Sequence, residues 1–160
     1  MEHIIHPIPP LYDEQSRILI LGSFPSVKSR EVQFFYGHPQ NRFWKVLAVI
    51  LDCPVPQTVP EKARMLHENH IALWDVIASC EIEGSSDSSI KNVVPNDLTP
   101  ILQAADIRQI YCNGATSHRL YQKYIAPVTG RDAIKLPSTS PANAAWQVER
   151  LVGAWKIVLK

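Results

Sequence analysis

The sequence has no long apolar run, few cysteines and almost no net charge, and each of these shortages excludes a class of protein. No apolar stretch approaches the roughly 20 residues that cross a bilayer. The N-terminal stretch MEHIIHPIPP lacks the basic-then-apolar layout of a signal peptide. We therefore expect a cytoplasmic protein with no membrane partner.

The cysteines do not form a recognisable framework. Cys53, Cys80 and Cys112 are far apart and odd in number, which fits reduced thiols better than disulfides or a metal-binding cluster. Two histidines three positions apart, His67 and His70, have no third ligand near them in the sequence. We expect no metal site.

Charge and glycine patterns exclude further classes. The 16 basic and 15 acidic residues give a net charge of +1, so bulk charge does not indicate a polyanionic partner. Such a partner would have to meet a local basic patch. The stretch GSFPS has neither the three-glycine spacing of a dinucleotide loop nor the Gly-Lys-Ser/Thr of a phosphate loop, so we expect no cofactor.

The composition is that of one globular domain, here residues 1–160, because 46% of the residues are hydrophobic and can form a core. The run RILILG, from Arg17 to Gly22, is short and apolar, which is typical of a strand buried on both faces of a parallel sheet. The stretch NRFWKVLAVIL then predicts a helix, since its apolar residues recur at helical spacing.

The rest of the chain continues this alternation. Further strands are predicted at IALWDV, IRQIYC and DAIKL, and further helices at VPEKARMLHENH, at NDLTPILQAA with Asn96 or Asp97 as cap, at SHRLYQKYI, and from Pro141 onward with Ser140 as N-cap. The pattern predicts an α/β fold with three layers, αβα, around a mostly parallel sheet of four strands.

Ligands of such sheets bind beyond the carboxyl ends of the strands. Four predicted loops lie there, and we expect them to form one cleft: GSFPS with its extension YGHPQN, WDVIASC, CNGATS and LPSTSPAN. Residues 34–44, FFYGHPQNRFW, place five aromatic rings in eleven positions. Core packing could explain any one of these rings, and His38-Pro39 could be a simple turn.

Three stretches, ILILGSFPS, YGHPQNRFWKVL and LPSTSPANAAW, resemble the uracil-DNA glycosylase superfamily. Within it the chain is most similar to the hypoxanthine-DNA glycosylase branch, which is related to the mismatch-specific uracil and thymine glycosylases. In the mismatch-specific members an Asn of the first loop positions the attacking water, and Phe24 stands at that place here. The resemblance therefore implies that Asn41 takes this part in the chemistry, and that the fold is that of the superfamily.

The implied reaction is hydrolysis of the N-glycosidic bond of a deaminated base, hypoxanthine first, that has been flipped out of DNA. Tyr36 matches the position that stacks on the base, and Asp75 matches a strand-end position that reads its edge. Phe24 is a further base-binding candidate, and backbone N–H groups around Ser23 and Phe24 could stabilise the departing base. Asp75 could instead be a helix cap.

The remaining candidates concern the base pocket and the DNA backbone. Asn113 is a possible polar pocket residue, although Asn-Gly is also an ordinary turn signal. Small hydroxyl and amide groups near the C-terminus suit phosphate contacts: Ser138, Thr139, Ser140 and Asn143. Basic side chains near the first motif, Lys28 and Arg42 with Arg30 and Lys45, could form the local patch or could be ordinary surface charges.

Two other functions remain open at this point. The first is a uracil glycosylase acting at G·U mismatches, and the second is a nucleic-acid-binding module that has lost catalysis, which Phe24 favours. Asn41 and Asp75 favour an enzyme. The expected partner is DNA containing a deaminated base, bound by a monomer without a cofactor.

Overall fold

The computed structural model describes residues 2–159 and contains both strands and helices. The strands are β1 (Glu2–Ile5), β2 (Ile18–Gly22), β3 (Ile71–Asp75), β4 (Ile77–Ile82), β5 (Lys91–Pro95), β6 (Gln109–Asn113) and β7 (Ala133–Leu136). The helices are α1 (Val27–Val32), α2 (Phe43–Leu51), α3 (Val59–Glu68), α4 (Thr99–Ala104), α5 (Ala115–Tyr124), α6 (Ala126–Thr129) and α7 (Val148–Trp155), with single 3₁₀ turns at Asp87–Ser89 and Lys156–Leu159.

The central sheet has four parallel strands in the order β3-β2-β6-β7. Helices cover both of its faces, which confirms the predicted three-layer α/β fold. Side chains alternate along β2, so Leu19 and Leu21 enter one core while Ile20 enters the other, and all three are fully buried. One core contains residues of α2, α3 and α7, and the other contains residues of α4 and α5.

The strand order creates the place for a ligand. From β2 the chain moves first to one side, to β3, and then to the other, to β6, so the order reverses between β2 and β6. Connections leave these two strands in opposite directions, and a crevice opens beyond their carboxyl ends. Gly22 lies beside Asp75 in the sheet register, and Asn113 lies beside Leu136. The predicted cleft loops start from these four positions.

A second, antiparallel sheet was not predicted. It has the order β1-β4-β5. The stretch WDVIASC was expected to be a loop, but Ile77–Ile82 continues as strand β4 after a single residue, Val76. The connection between β4 and β5, residues 83–90, is rich in serine, and we call it the serine loop.

The last helix begins later than predicted. Ser140 does not cap a helix that starts at Pro141, because α7 begins at Val148 with Gln147 in the cap position. The Ser140 hydroxyl instead accepts a hydrogen bond from the N–H of Ala142 at 3.1 Å, within a turn. Ser140 therefore stabilises a short turn and does not begin a helix. Residues 139–146 form an extended loop over the cleft, and the contacts that hold it are given below.

Candidate functional site

A cleft of about 520 Å³ lies at the predicted place, beyond the carboxyl ends of β2, β3 and β6. This volume is within the range of small-molecule sites, about 300–1,000 Å³. Most of the predicted site residues line it: Ser23, Phe24, Tyr36, Asn41, Asp75, Asn113, Ser138, Thr139 and Ser140. His38 also lines it, with its Nδ1 accepting from the N–H of Gln40 at 3.1 Å, as in the predicted turn.

Gly22 lines this cleft at the end of β2. A Cβ atom at this position would lie 2.4 Å from Oδ1 of Asp75 and 3.0 Å from the hydroxyl oxygen of Tyr36. Both approaches are closer than van der Waals contact allows, so only glycine leaves room for these two side chains. The acceptor of Asp75 and the ring of Tyr36 therefore meet at the end of β2.

Tyr36 forms one flat wall. Its ring stacks on Phe43 with centroids 4.1 Å apart and planes at 15°, and Phe43 is buried in the core. The Tyr36 backbone has φ 51°, an uncommon left-handed conformation for an aromatic residue. Its ring is partly exposed in the cleft, whereas its hydroxyl group is buried without a hydrogen-bond partner. Burial and, next, the charge of Asp75 raise the pKa of this phenol, which keeps it neutral.

Asn41 is held by its side-chain oxygen. That oxygen accepts hydrogen bonds from the N–H of Phe43 and from the Thr139 hydroxyl, both at 2.9 Å. Since a backbone N–H can only donate, the orientation of the Asn41 amide is fixed. Its NH₂ group is the part that remains for the cleft. Asn41 therefore presents donors to a bound molecule.

Thr139 joins Asn41 to Asn113, and we call these three residues the amide network. The Asn113 amide donates to the Thr139 hydroxyl at 3.0 Å, and its oxygen accepts from the Thr139 N–H at 3.1 Å. Thr139 is fully buried. Its predicted phosphate contact is therefore wrong for the side chain, which positions Asn41 instead. Asn113 is more than a turn residue, because both ends of its amide fasten the loop after β7.

Arg42 fastens the loop after β7. Its guanidinium donates to the carbonyl oxygens of Ser140 at 2.7 Å and Asn143 at 3.2 Å, and to those of Thr139 and Trp146. These bonds hold residues 139–146 against the start of α2, and the contact of Arg42 with DNA stays a prediction.

The other predicted DNA contacts divide into two groups. Ser138 and Ser140 are partly exposed in the cleft wall. Asn143 lies outside the cleft lining and donates its amide N–H to the carbonyl of Ser138 at 3.0 Å. Lys28 also lies outside the lining, on exposed surface 3.7 Å from Glu31.

Asp75 is paired with a residue that the sequence did not indicate. Its Oδ2 lies 2.7 Å from Nε2 of His6, and the side chains are only 6% and 3% exposed. His6 comes from the segment after β1, and a lone histidine there carries no recognisable signal. Asp75 lines the cleft, and no helix begins there, so the helix-cap alternative is wrong. Phe24 lies edge-on to the His6 ring at 5.8 Å.

The serine loop forms the outer rim of the cleft and was also missed. Ser85, Ser86, Asp87 and Ser88 line the cleft. The Ser23 hydroxyl lies 3.5 Å from Oδ1 of Asp87. Desolvation raises the pKa of Asp87, although hydrogen bonds from Thr116 and Ser23 oppose this. The sequence shows a polar turn here, but the folding of that turn over the cleft depends on the unpredicted antiparallel sheet.

Across residues 2–159, His, Cys, Asp and Glu side chains nowhere gather in a group of three that could hold a metal ion. Within the same residues, every helix is too short or too polar to cross a membrane.

Comparison with known proteins gives consistent results. The model of the uracil DNA glycosylase superfamily matches residues 9–158. A curated relative named hypoxanthine DNA glycosylase, from Methanosarcina acetivorans, is 31% identical over 153 residues, which are 95% of this chain and 96% of the relative. A second relative of that name, from Methanosarcina barkeri, is 36% identical over 138 residues, 84% of this chain and 85% of the relative.

A solved structure is also similar. It is a solution NMR structure of a Methanosarcina acetivorans protein described as a candidate uracil DNA glycosylase. The TM-score is 0.80 at 29% identity, and the match covers 98% of this chain and 100% of the other.

Proposed function

Because this chain belongs to the uracil DNA glycosylase superfamily and is a DNA glycosylase, we propose that its cleft holds a deaminated base, hypoxanthine in preference, flipped out of DNA. The observation that carries this proposal is the junction at Gly22, where a flat aromatic ring and a buried hydrogen-bond acceptor meet. A base offers the two matching features, a π face and a polar edge.

Base recognition follows from these two side chains. The ring of Tyr36 is backed by Phe43, so a base that stacks on its open face would continue the stack. Asp75 presents a carboxylate oxygen near the same point. A carboxylate only accepts hydrogen bonds, and hypoxanthine has a donor, N1–H, on its polar edge. Tyr36 and Asp75 would therefore together hold a flat base that carries an N–H on its polar edge.

The chemistry needs a held water molecule and donors directed at the departing base. Cleavage of the glycosidic bond builds positive charge on the sugar and negative charge on the base. The free NH₂ group of Asn41 could hold the water through its oxygen, since the Asn41 carbonyl is already occupied. Asn41 cannot act as a strong base, so the step is largely dissociative: the glycosidic bond breaks first, and water then adds to the sugar cation. The proton that this water loses neutralises the departed base anion. Backbone N–H groups near Ser23 and Phe24 are available to stabilise the base.

Uracil is the second candidate substrate. Its N3–H would meet the same acceptor of Asp75, and the NMR structure with a similar fold is described as a candidate uracil DNA glycosylase. A single-turnover assay on oligonucleotides that each carry one hypoxanthine, uracil, xanthine or ethenoadenine separates the two. We expect hypoxanthine to be excised fastest. The activity should persist in EDTA, and the active species should be a monomer. Faster excision of uracil would make uracil the substrate, and excision of none of the four would refute the proposal.

A further inference from the structure

We propose that His6 is a positioning residue that sets base specificity by fixing Asp75 as a hydrogen-bond acceptor toward the cleft. This inference rests on the proposed function, in which Asp75 reads the edge of the flipped base. His6 lies before residues 9–158, so it is outside the part of the chain that the superfamily model matches.

The hydrogen bonds of His6 determine its tautomer. Its Nδ1 accepts from the backbone N–H of Ile8 at 3.1 Å, and a nitrogen that accepts carries no proton. In the neutral ring the proton is therefore on Nε2, which lies 2.7 Å from Oδ2 of Asp75. His6 donates and Asp75 accepts. The second oxygen, Oδ1, is the one that lies over Gly22 at the base of the cleft.

The imidazole ring cannot easily turn away from Asp75. Phe24, Phe35 and Trp74 surround it, with ring centroids 5.8, 6.4 and 6.2 Å from its own. The Trp74 indole N–H donates to the carbonyl of Ile8 at 3.2 Å and holds the segment in place. This arrangement also accounts for Phe24, which packs against the residue that orients Asp75.

The groups that surround Asp75 leave one of its carboxylate oxygens free. Its titratable neighbours are His6, which contacts Oδ2, and Tyr36, whose hydroxyl, like Oδ1 of Asp75, lies close to Gly22. The Asn96 amide donates only to the backbone carbonyl of Asp75, at 2.9 Å. Since Oδ2 is engaged by His6, Oδ1 is the acceptor left for a ligand.

A fixed acceptor distinguishes hypoxanthine from adenine, the base from which deamination produces it. Hypoxanthine has an N–H at ring position 1, whereas adenine has an unprotonated nitrogen there that would face the carboxylate oxygen with a lone pair. Two acceptors repel each other, and a buried acceptor without a donor is costly. If His6 is removed, Oδ2 loses its partner and the carboxyl group can rotate. Discrimination and rate should both fall.

The first test needs no variant. Single-turnover excision is measured on DNA containing hypoxanthine and on DNA containing N1-methylhypoxanthine, which lacks the N–H. We expect the wild-type protein to excise the methylated base at least about 100-fold more slowly, as for a buried polar group left unpaired. Equal rates on the two bases would overturn the inference.

The second test compares substitutions at position 6. His6→Gln places an amide nitrogen where Nε2 of histidine lies, whereas His6→Asn reaches only the Nδ1 position. We expect His6→Gln to stay within about 5-fold of the wild-type rate on hypoxanthine, and His6→Asn and His6→Ala to lose roughly 10- to 100-fold, as for a charge-assisted hydrogen bond. The matched control is His3→Gln, at an exposed histidine of the preceding strand, β1. It should have the wild-type rate.

A double-mutant cycle separates positioning from a general structural effect. In an Asp75→Asn background, His6→Ala should change the excision rate less than about 3-fold, because the group through which His6 acts has already been altered. An equal loss in both backgrounds would show that His6 acts independently of Asp75. Failure of the proposed function looks different: the wild-type protein would then excise none of the bases. Urea unfolding of each variant confirms that rates are measured on folded protein.

Discussion

The two walls of the cleft are built in opposite ways. In the inner wall, the amide network with Arg42, the polar groups pair with one another or with backbone groups except for the free NH₂ group of Asn41, and Thr139 is fully buried. The outer wall, the serine loop, is exposed from Glu83 to Ser88. Its hydroxyl groups bond mostly within the loop, as between Ser86 and Ser88 at 3.0 Å.

This difference suits the inner wall to holding catalytic groups in fixed positions and the outer wall to contacts that must adjust. Catalytic groups must be held within about 0.5 Å, and satisfied buried networks on the ends of strands provide this. Contacts to a DNA backbone need exposed donors that can adjust, and loops with few buried contacts open at low free-energy cost. We therefore expect substitutions in the inner wall to change stability and rate, and substitutions in the outer wall to change mainly DNA affinity.

The largest effect is expected beneath the inner wall, at Phe43. This side chain is 1% exposed and supports both Tyr36 and the N–H that holds Asn41. Phe43→Ala should lower the free energy of unfolding by about 3–5 kcal/mol through the cavity that it leaves. Urea unfolding measures this. Tyr36→Ala is the comparison. If it lowers the free energy of unfolding more than Phe43→Ala does, then Tyr36, and not Phe43, is the residue that supports the core.

Asn41→Ala should have the next largest effect, and on rate. We expect the single-turnover rate to fall by roughly 100-fold, equivalent to about 2.7 kcal/mol, with lesion-DNA binding nearly unchanged, because a positioned donor acts mainly in the transition state. Ser88→Ala in the outer wall is the control and should keep the wild-type rate. If both variants retain that rate, the water-holding group lies elsewhere, with Ser23 as the next candidate.

Thr139→Val tests whether the amide network works as a unit. Valine keeps the shape but removes the hydroxyl that links Asn41 to Asn113. We expect a loss of about 1–3 kcal/mol in the free energy of unfolding, as for buried groups left unpaired, together with a slower excision step. Thr139→Ser retains the hydroxyl and should recover most of both. Wild-type stability in the valine variant would mean that the network is not needed.

Asp87→Asn should have the smallest effect and a distinctive pH dependence. Partial desolvation of the carboxyl group at the rim of the cleft raises the pKa of Asp87 in the folded protein, so the folded state binds this proton more tightly than the unfolded chain does. The charged form therefore destabilises the fold as pH rises through the folded pKa. The variant should be slightly more stable than wild type at pH 7, by less than about 0.5 kcal/mol because the residue is exposed.

The control for this prediction is to measure the free energy of unfolding of both proteins at low pH. At a pH below the unfolded pKa of aspartate, about 3.9, both proteins are neutral at position 87 and the difference should vanish. A stability gain that is unchanged at low pH would have to come from something other than charge.

The parallel core could be predicted from sequence because its signals are local. Apolar runs such as Ile18–Gly22 and helical spacing such as Phe43–Leu51 record burial residue by residue. Ser140-Pro141 was misleading because a standard cap signal was overridden by Arg42, about 100 positions away in the chain. His6 could not be predicted at all, since its partner Asp75 is 69 positions distant and only the folded sheets bring them together.

Gly22 makes the opening of this cleft depend on a single methyl group. An alanine Cβ at position 22 would lie 2.4 Å from Asp75 Oδ1 and 3.0 Å from the Tyr36 hydroxyl, and Asp75 is bonded to His6, so it cannot move aside freely. No larger residue can therefore replace Gly22 without moving one of these two side chains. Even the smallest side chain at position 22 would displace Asp75 or Tyr36, the two side chains that we propose contact the base, so the shape of the cleft depends on the absence of a Cβ here.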